Sequence, residues 1–426
     1  MKRIVLSAGM TLMLSSAAFA ETMTLYTDPA TGQVFTQAGE GRVEMGDFVS
    51  AKEVYLENQE QDSALAAKEA KRKDVDVYAK ASKLEFSGTH YLGYKYIQPS
   101  DSDADSWSGF ETRRNYLQIK AYFFDNPKSY MRVTLDTFQN NTVLIDETGV
   151  QYEKQGANDI GSWEVRLKYA YIYLDSILPY TGVEFGQVHR PWIDYEEHQG
   201  WWYRSISKTF MEASESADLS NSADLGINFK TKLPYFTSEI GVFNGEGYHQ
   251  QEMGQGNSFE WRVSAALLGN GDTKRVALKD AYFDISSFGQ IQEKSNKVGA
   301  RNSNVADGYD YRIYGFHTVY NRPSFLLSAQ YITSESDAPN NYKQGKGYSA
   351  NGTYRFGDDK EYDLFGRYDR WDDDKKDSEK EYWIAGAGYQ YNKNVKFIAN
   401  VLNTDEDKKS DNNEYMSYMF SAEVHW

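Results

Sequence analysis

The chain from Lys83 to Trp426 contains about sixteen segments in which apolar and polar residues alternate, and this alternation restricts the fold more than any other feature. In EYMSYMFSAEVHW, the last thirteen residues, every second residue from Met416 to Trp426 is apolar. A period of two indicates β-strands with one apolar and one polar face. The predicted strands cover 83–98, 115–124, 129–138, 163–174, 182–188, 223–230, 236–243, 259–268, 275–285, 309–320, 324–332, 348–356, 361–371, 382–391, 395–402 and the terminal run.

The connectors between these segments alternate between short and long. DNPK, KLPY, NRP, GDDK and NKN are a few residues each, whereas PSDSDADSWSGF, the segment 189–222 and NTDEDKKSDNNE are long and polar. An up-and-down barrel with tight turns at one rim and large loops at the other produces this pattern. A soluble β-sandwich gives no reason for such regular alternation.

The composition agrees with an all-β protein that crosses a membrane with strands. Mean hydropathy is −0.70, and no segment after residue 20 approaches the roughly 18 uninterrupted apolar residues of a membrane-spanning helix. Aromatic residues make up 15%, including 34 Tyr, and such side chains favour membrane interfaces. The net charge of −16 argues against nucleic acid as a partner, and the absence of cysteine excludes disulfides and thiolate sites.

The first 82 residues differ from the rest. Residues 1–20, with Lys2, Arg3, an apolar stretch and the ending AFA, form a predicted secretory signal peptide. Residues 21–82 form a predicted periplasmic segment, in which 21–47 is a loop or small hairpin and 50–82, rich in Ala, Glu, Lys and Gln, is at least partly helical. We therefore expect a transmembrane antiparallel up-and-down barrel of about 16 strands over 83–426.

The C-terminal strand must pair with the first strand, because backbone polar groups in lipid have to be satisfied within the protein. Trp426 would then anchor the strand in an aromatic girdle. With Phe420 and Val424, it also looks like the C-terminal assembly signal of outer-membrane proteins, which usually ends in an aromatic residue.

Several stretches resemble the phosphate-selective porin O and P family. FETRRNYLQIKAYFFDNPKSYMRVTLD is similar to its early strand pair, RLKYAYIYLD and VEFGQVHRPW to its central block, and YRFGDDKEYDLFGRYDRWDDD to its late hairpin. The resemblance covers roughly 83–426 and implies a homotrimer of sixteen-stranded pores with a constricting third loop, in the outer membrane of a Gram-negative bacterium, among lipid and lipopolysaccharide. The third long loop here is 189–222.

A water-filled barrel needs polar residues on its inward face. If the apolar face of each strand is outward, the predicted channel-lining basic residues are Arg114, Lys120, Arg132, Arg166, Lys168 and Arg262. All of them except Arg262 lie on the second to fourth predicted strands and could form a basic wall for anions. They could equally form ion pairs that stabilise the barrel and select nothing.

The predicted constriction loop carries Arg190, Asp194, Glu196, Glu197 and Arg204. Its acidic residues outnumber its basic ones, so a general or weakly cation-selective pore is as plausible here as a phosphate pore. Its aromatic residues Trp192, Trp201, Trp202 and Tyr203 would either pin the loop to the wall or form an apolar track for solutes.

Passive diffusion of small hydrophilic solutes or ions is the function that this pattern favours. A plugged barrel acting as an adhesin, receptor or structural protein is the alternative. The six scattered His residues give no Ser-His-Asn arrangement for an outer-membrane enzyme and no ligand spacing for a metal. The sequence predicts no cofactor.

Overall fold

The computed structural model describes residues 23–48, 81–100, 105–139, 143–145, 151–153, 162–245, 247–248, 256–272, 274–295, 309–337, 343–374, 378–406 and 414–426. The predicted signal peptide and nearly all of the predicted helical segment, 50–82, lie outside these residues. The chain divides into two compact units, 1–79 and 80–426.

The second unit is a closed antiparallel barrel of sixteen strands, which confirms the predicted fold class. Each strand pairs with its neighbour in sequence, apart from a small separate pair, β7 (Val143–Ile145) and β8 (Gln151–Glu153). The barrel strands are β4 (Lys83–Pro99), β5 (Trp107–Tyr122), β6 (Tyr130–Gln139), β9 (Trp163–Leu178), β10 (Thr181–His189), β11 (Ala223–Leu233), β12 (Phe236–Phe243), β13 (Ser258–Leu268), β14 (Tyr282–Ser295), β15 (Tyr309–Arg322), β16 (Phe325–Ser336), β17 (Gly345–Phe356), β18 (Tyr362–Asp373), β19 (Ser378–Gln390), β20 (Val395–Glu406) and β21 (Tyr415–His425).

The barrel closes where β21 pairs with β4, from Tyr415 opposite Pro99 to His425 opposite Thr89. The backbone pairing continues to Trp426, whose N–H and C=O both bond with Gly88. The indole packs on Gly88, where a Cβ atom would lie 2.4 Å from the ring, and its Nε1–H donates to His90 Nε2 over 2.9 Å. The terminal tryptophan therefore fastens the closing strand to the first one.

Short and long connectors alternate from β9 to β13, but three long connectors follow one another between β12 and β15 and three short ones between β17 and β20, so the expected alternation holds only in part. Two of the shortest turns, Pro179-Tyr180 and Pro234-Tyr235, place the tyrosine at φ 59° and 63°. Proline followed by a residue with positive φ is the pattern of a type II turn, although glycine is the usual second residue.

The ninth predicted strand, 275–285, was placed too early. Residues 275–281 belong to the connector that precedes β14, and the backbone N–H groups of Lys279 and Asp280 both donate to Val276 O. Val276 and Leu278 lie outside the sheet and are exposed, although their two-residue spacing is typical of a strand.

Two β-bulges change which residues face the lumen. On β5, Tyr91 pairs with Arg114 and Leu92 with Thr112, so Arg113 is an extra residue. On β9, Lys168 is extra in the same way, between the partners of Thr134 and Leu135. A bulge re-aims the side chains that follow it. Strict alternation would have turned Arg113 outward.

The first unit contributes a three-stranded sheet of order β2-β1-β3, formed by β1 (Met23–Thr27), β2 (Val34–Phe35) and β3 (Val43–Phe48). Strands β1 and β2 correspond to the expected hairpin, and β3 adds to it. One α-helix lies in the described part of the chain, α1 (Pro191–Gln199), in the connector between β10 and β11. None of the described helical segments has both the length and the apolar character needed to cross a bilayer.

We expect Trp426→Ala to weaken barrel closure, because it removes the bond to His90 and the ring that covers Gly88. Loss of this apolar contact should cost less than the roughly 1.5–3 kcal/mol of a fully buried side chain, because Trp426 is 54% exposed. The heat-induced change in gel mobility of the folded barrel should then occur at a lower temperature. Tyr180→Ala, which removes an exposed ring from a turn, is the control and should leave that temperature unchanged.

Candidate functional site

The connector 190–222 folds into the barrel and packs on the inward face of β14 to β18. Helix α1 supplies Trp192 and Ile193, and the later part of the loop supplies Phe210. The Trp192 ring stacks on Phe288 of β14, with ring centroids 3.6 Å apart and planes 4° apart. The cluster is completed by Tyr195, Met211, Ala217, Leu219, Tyr311, Ile313, Ile332 and Trp371. Each large side chain buried here stabilises the loop position by about 1.5–3 kcal/mol.

A second apolar cluster holds the middle of the loop against β18 to β21. Tyr203 stacks on Phe365 with centroids 3.8 Å apart, and its hydroxyl donates to Asp363 over 2.9 Å. Trp201 and Ile206 are also buried in this cluster. The loop aromatics therefore pin the loop to the wall.

Arg190 anchors the base of the loop. Its guanidinium donates to Asp224 of β11 over 2.8 Å and to the Gly245 carbonyl over 3.1 Å, and it lies 3.3 Å from Glu260 of β13. The side chain is almost completely buried. Two carboxylates and a backbone carbonyl thus hold one buried guanidinium, so Arg190 fixes the loop origin and does not line a passage.

The lumen-facing side of the loop carries an ion network around Arg204. Its guanidinium donates to both carboxylate oxygens of Glu212, over 2.7 and 3.2 Å, and to Glu197. Burial opposes ionisation of Glu212, but Arg204 and Lys208 lower its pKa to about 2. The acidic residues of this network are therefore neutralised by cations of the same loop.

Asp194 of α1 belongs to a second network. It lies 3.7 Å from His189 Nε2, 3.7 Å from His198 Nδ1 and 3.7 Å from Lys230 Nζ of β11. Lys230 also lies 3.4 Å from Glu184. Burial opposes ionisation of Asp194, but His189 and Lys230 hold its pKa well below the usual range.

Glu196 lies on the opposite side of α1, in the interface with the wall, and is 1% exposed. Gln330 Nε2 of β16 donates to Glu196 Oε1, and Glu196 Oε2 has no hydrogen-bond partner among the described residues. The nearby His317 ring also lacks hydrogen bonds there. Burial raises the pKa of Glu196 to about 7.

The wall opposite the loop, formed by β5, β6 and β9, carries the predicted basic residues. Arg132 donates to Thr134 over 3.1 Å and to Tyr171 over 3.2 Å, and its guanidinium lies 4.7 Å from the Tyr169 ring centroid. Lys168 donates to the Tyr116 hydroxyl over 2.8 Å. No described carboxylate lies within 4 Å of Arg132 or Lys168. Aromatic and hydroxyl partners hold these cations in place but leave their charge uncompensated.

Arg114 and Arg166 share one acid. Arg166 donates to Asp136 over 2.8 Å, whereas Arg114 lies 4.0 Å from the same carboxylate and makes no hydrogen bond to a described residue. Lys120 has no ion pair among the described residues and lies 5.2 Å from the Tyr130 ring centroid. The β5–β9 wall therefore has an excess of positive charge.

Arg262 lies away from this wall, on β13 beneath α1. It pairs with Glu239 at 3.3 Å, and its guanidinium lies 4.5 Å from the Tyr195 ring centroid. It is 3% exposed, so it supports the helix from the wall.

The space left between the loop and the β4–β10 wall forms two chambers that meet at Arg204. The turn-side chamber, towards the short turns, is lined by Thr89, Tyr116, Arg132 and Lys168, among others. The loop-side chamber, towards the long loops, is lined by residues of β4, β5, β19, β20 and β21 and by the loop. Five Lys and Arg residues line the loop-side chamber and four line the turn-side chamber, and Arg204 lines both. The two linings together therefore contain eight basic and five acidic residues.

Sequence reasoning missed three contributors to this passage. Arg113 faces it only because of the bulge on β5, and Lys230 is brought in from β11 by the barrel curvature. The inward tyrosines of β9 follow the bulge at Lys168, which reverses the alternation from Tyr169 onwards. No local sequence signal marks either bulge. Among the described residues, no group of acidic or histidine side chains could hold a metal ion.

Solved structures share this fold. An anion-selective porin from Comamonas acidovorans matches with a TM-score of 0.56 and 12% identity, over 81% of this chain and 99% of that one. Salmonella typhi OmpF in complex with daunomycin matches with a TM-score of 0.52 and 13% identity, over 82% of this chain and 99% of that one. The trimer form of Vibrio cholerae OmpT matches with a TM-score of 0.51 and 13% identity, over 81% of this chain and 100% of that one. No protein-family model matches the sequence, and no curated protein sequence matches it.

We expect the folded position of the loop to become less stable as pH rises from about 4.5 to about 7. In that range folded Glu196 keeps a proton that the unfolded chain has lost, so the free energy of unfolding falls with increasing pH. Glu196→Gln should remove much of this dependence. Thermal unfolding of the detergent-solubilised barrel at pH 5 and pH 8 measures it, with Glu215→Gln as the control. An unchanged pH dependence in Glu196→Gln would contradict the assignment.

Proposed function

We propose that this chain is a porin of the Gram-negative outer membrane, a water-filled channel for passive diffusion of small hydrophilic solutes and ions. The observation that carries the proposal is the division of the lumen. The loop 190–222 fills one side of the closed barrel, and a polar passage remains along β4 to β10. The structural neighbours include an anion-selective porin, and this similarity supports the same function.

The charge of the passage supports a preference for anions. Arg114, Arg132 and Lys168 lack a close carboxylate partner of their own among the described residues, whereas Glu212 and Asp194 are paired with cations. A lumen with an excess of fixed positive charge concentrates anions by electrostatic attraction. The acidic balance of the loop, counted from sequence, is therefore outweighed by the wall.

Membership of the phosphate-selective porin O and P family is part of this proposal and rests on the sequence resemblance, but selectivity for phosphate is not part of it. A homotrimer is proposed as well, embedded among outer-membrane lipid and lipopolysaccharide. The trimer form of Vibrio cholerae OmpT supports it by fold similarity.

A hydrogen-bonded row of polar side chains on the outward face also supports the trimer. His90 Nδ1–H donates to Asn115 Oδ1 over 3.0 Å, and Asn115 Nδ2–H donates to Thr137 Oγ1 over 3.0 Å, across β4, β5 and β6. Polar groups are costly against hydrocarbon, so this face is better suited to contact with another copy than with lipid.

The alternative function is a plugged barrel acting as an adhesin or receptor. It requires the two chambers to be sealed from each other at Arg204. Stepwise conductance of the purified protein in planar bilayers supports the porin, and a sealed bilayer at high protein load supports the plugged barrel.

We expect Arg114→Gln combined with Arg132→Gln to shift the reversal potential towards cation preference. The two substitutions remove two fixed positive charges from the passage. The potential is measured in a planar bilayer across a tenfold potassium chloride gradient. Arg312→Gln on the outward side of β15 should leave it unchanged. If the double variant behaves as the unmodified protein does, the basic wall does not set selectivity.

We expect Asn115→Val to weaken the trimer without unfolding the barrel, because it breaks the polar row at its centre. The temperature at which trimers dissociate on semi-native gels should fall, while the heat-modifiable barrel remains. Ser287→Val, on the outward face of β14, is the matched control. Equal dissociation temperatures for both variants would show that this face does not contact another copy.

A further inference from the structure

The loop-side chamber has two chemically different sides. Its basic side is formed by Lys95 of β4, Arg113 and Arg114 of β5, and Lys208 of the loop. Its apolar side is formed by Leu402 of β20, Met419 of β21 and Ile206 of the loop, bordered by the rings of Tyr382 and Tyr415. Because β21 pairs with β4, the two sides meet along one seam of the barrel.

The basic side has charge available for a ligand. Lys95 makes no hydrogen bond or ion pair with any described residue, and its Nζ lies 5.7 Å from the Tyr415 ring centroid. Arg114 has only Asp136 at 4.0 Å, which Arg166 already holds at 2.8 Å. Glu111, at 3.5 Å from Arg113, and Glu215 are the acidic residues in the lining.

The apolar side is continuous with the charged one. Arg113 Nη1 donates to Met419 Sδ over 2.8 Å, so a guanidinium lies directly beside the thioether. Met419 and Leu402 are inward-facing, at positions where a purely aqueous channel would carry polar groups. They pack with the loop cluster around Trp201 and Ile206.

The cavity has a volume of about 280 Å³. That is near the lower end of the ~300–1,000 Å³ range of small-molecule sites, which suits a ligand the size of a single ring. A ligand there would place a negative group towards Lys95 and Arg114 and an uncharged body towards Met419 and Leu402.

We propose that the loop-side chamber is a binding site for small organic carboxylates with an apolar ring-sized body, which the channel admits in preference to compact inorganic anions. The proposal rests on the porin function and adds its substrate class. The carboxylate interacts with the basic side, and the ring displaces water from the apolar side.

The test compares benzoate, acetate and phosphate as blockers of chloride current through single channels in planar bilayers. Benzoate should reduce the current at concentrations about tenfold lower than acetate, a ratio that corresponds to burial of roughly two methylene groups. The concentration of phosphate that reduces the current by the same amount should be equal to or higher than that of acetate. Equal block by benzoate and acetate, or strongest block by phosphate, would overturn the proposal and leave the porin function intact.

Variants separate the two sides of the site. Met419→Ser should raise the half-blocking concentration of benzoate by about fourfold and leave that of acetate unchanged. Met419→Leu should restore benzoate block, which a merely structural defect would not allow. Lys95→Gln with Arg113→Gln should weaken block by both carboxylates, and Lys346→Gln, on the outward side of β17, is the charge control.

Calorimetric titration of the detergent-solubilised barrel with benzoate tests the site independently of conductance. Binding that is weakened about fourfold in Met419→Ser and restored in Met419→Leu supports the site even if the bilayers stay sealed, a result that would reject the porin function alone. Conductance without measurable benzoate binding or block would reject the site alone.

Discussion

Backbone pairing between β21 and β4 is the constraint on which the rest of the structure depends. In a bilayer an unpaired strand edge leaves N–H and C=O groups without partners, so the sheet has to close. Closure brings the last residue, Trp426, onto Gly88 and places β20 and β21 beside β4 and β5. The apolar residues of the late strands and the basic residues of the early strands thereby become neighbours in one lumen, although about 300 residues of sequence separate them.

The loop 190–222 divides this lumen into a side filled by packed apolar residues and a side that remains open to water. Strands β14 to β21 carry apolar residues such as Phe288 and Ile384 on their inward faces, and these are covered by loop aromatics. The early strands carry arginine, lysine and tyrosine instead. This packing fixes the position of the loop and leaves a passage between the loop and the early strands. The tyrosines orient the cations without neutralising them, which is the basis of the proposed preference for anions.

The sequence predicted a closed barrel of about sixteen strands, since strand formation here depends on a local period of two. It could not predict that Arg113 and Lys168 are bulge residues, because a bulge is defined by the register with the neighbouring strand. The same limit explains the strand predicted at 275–285, where local alternation was present but no partner strand extended to those residues. Similarly, the acidic composition of the loop made a general or weakly cation-selective pore at least as plausible as a phosphate pore, whereas Glu212 and Glu197 are paired with Arg204 and Glu196 is buried.

The amino-acid sequence by itself therefore determined the barrel, because alternation and turn spacing are properties of consecutive residues and the pairing of backbone groups in lipid leaves one closed solution. Only the tertiary structure decided which cations lack a compensating acid and which surfaces meet in the loop-side chamber. Those properties depend on contacts between strands and a loop that are distant in sequence, where electrostatic energy is set by separation in space and by burial.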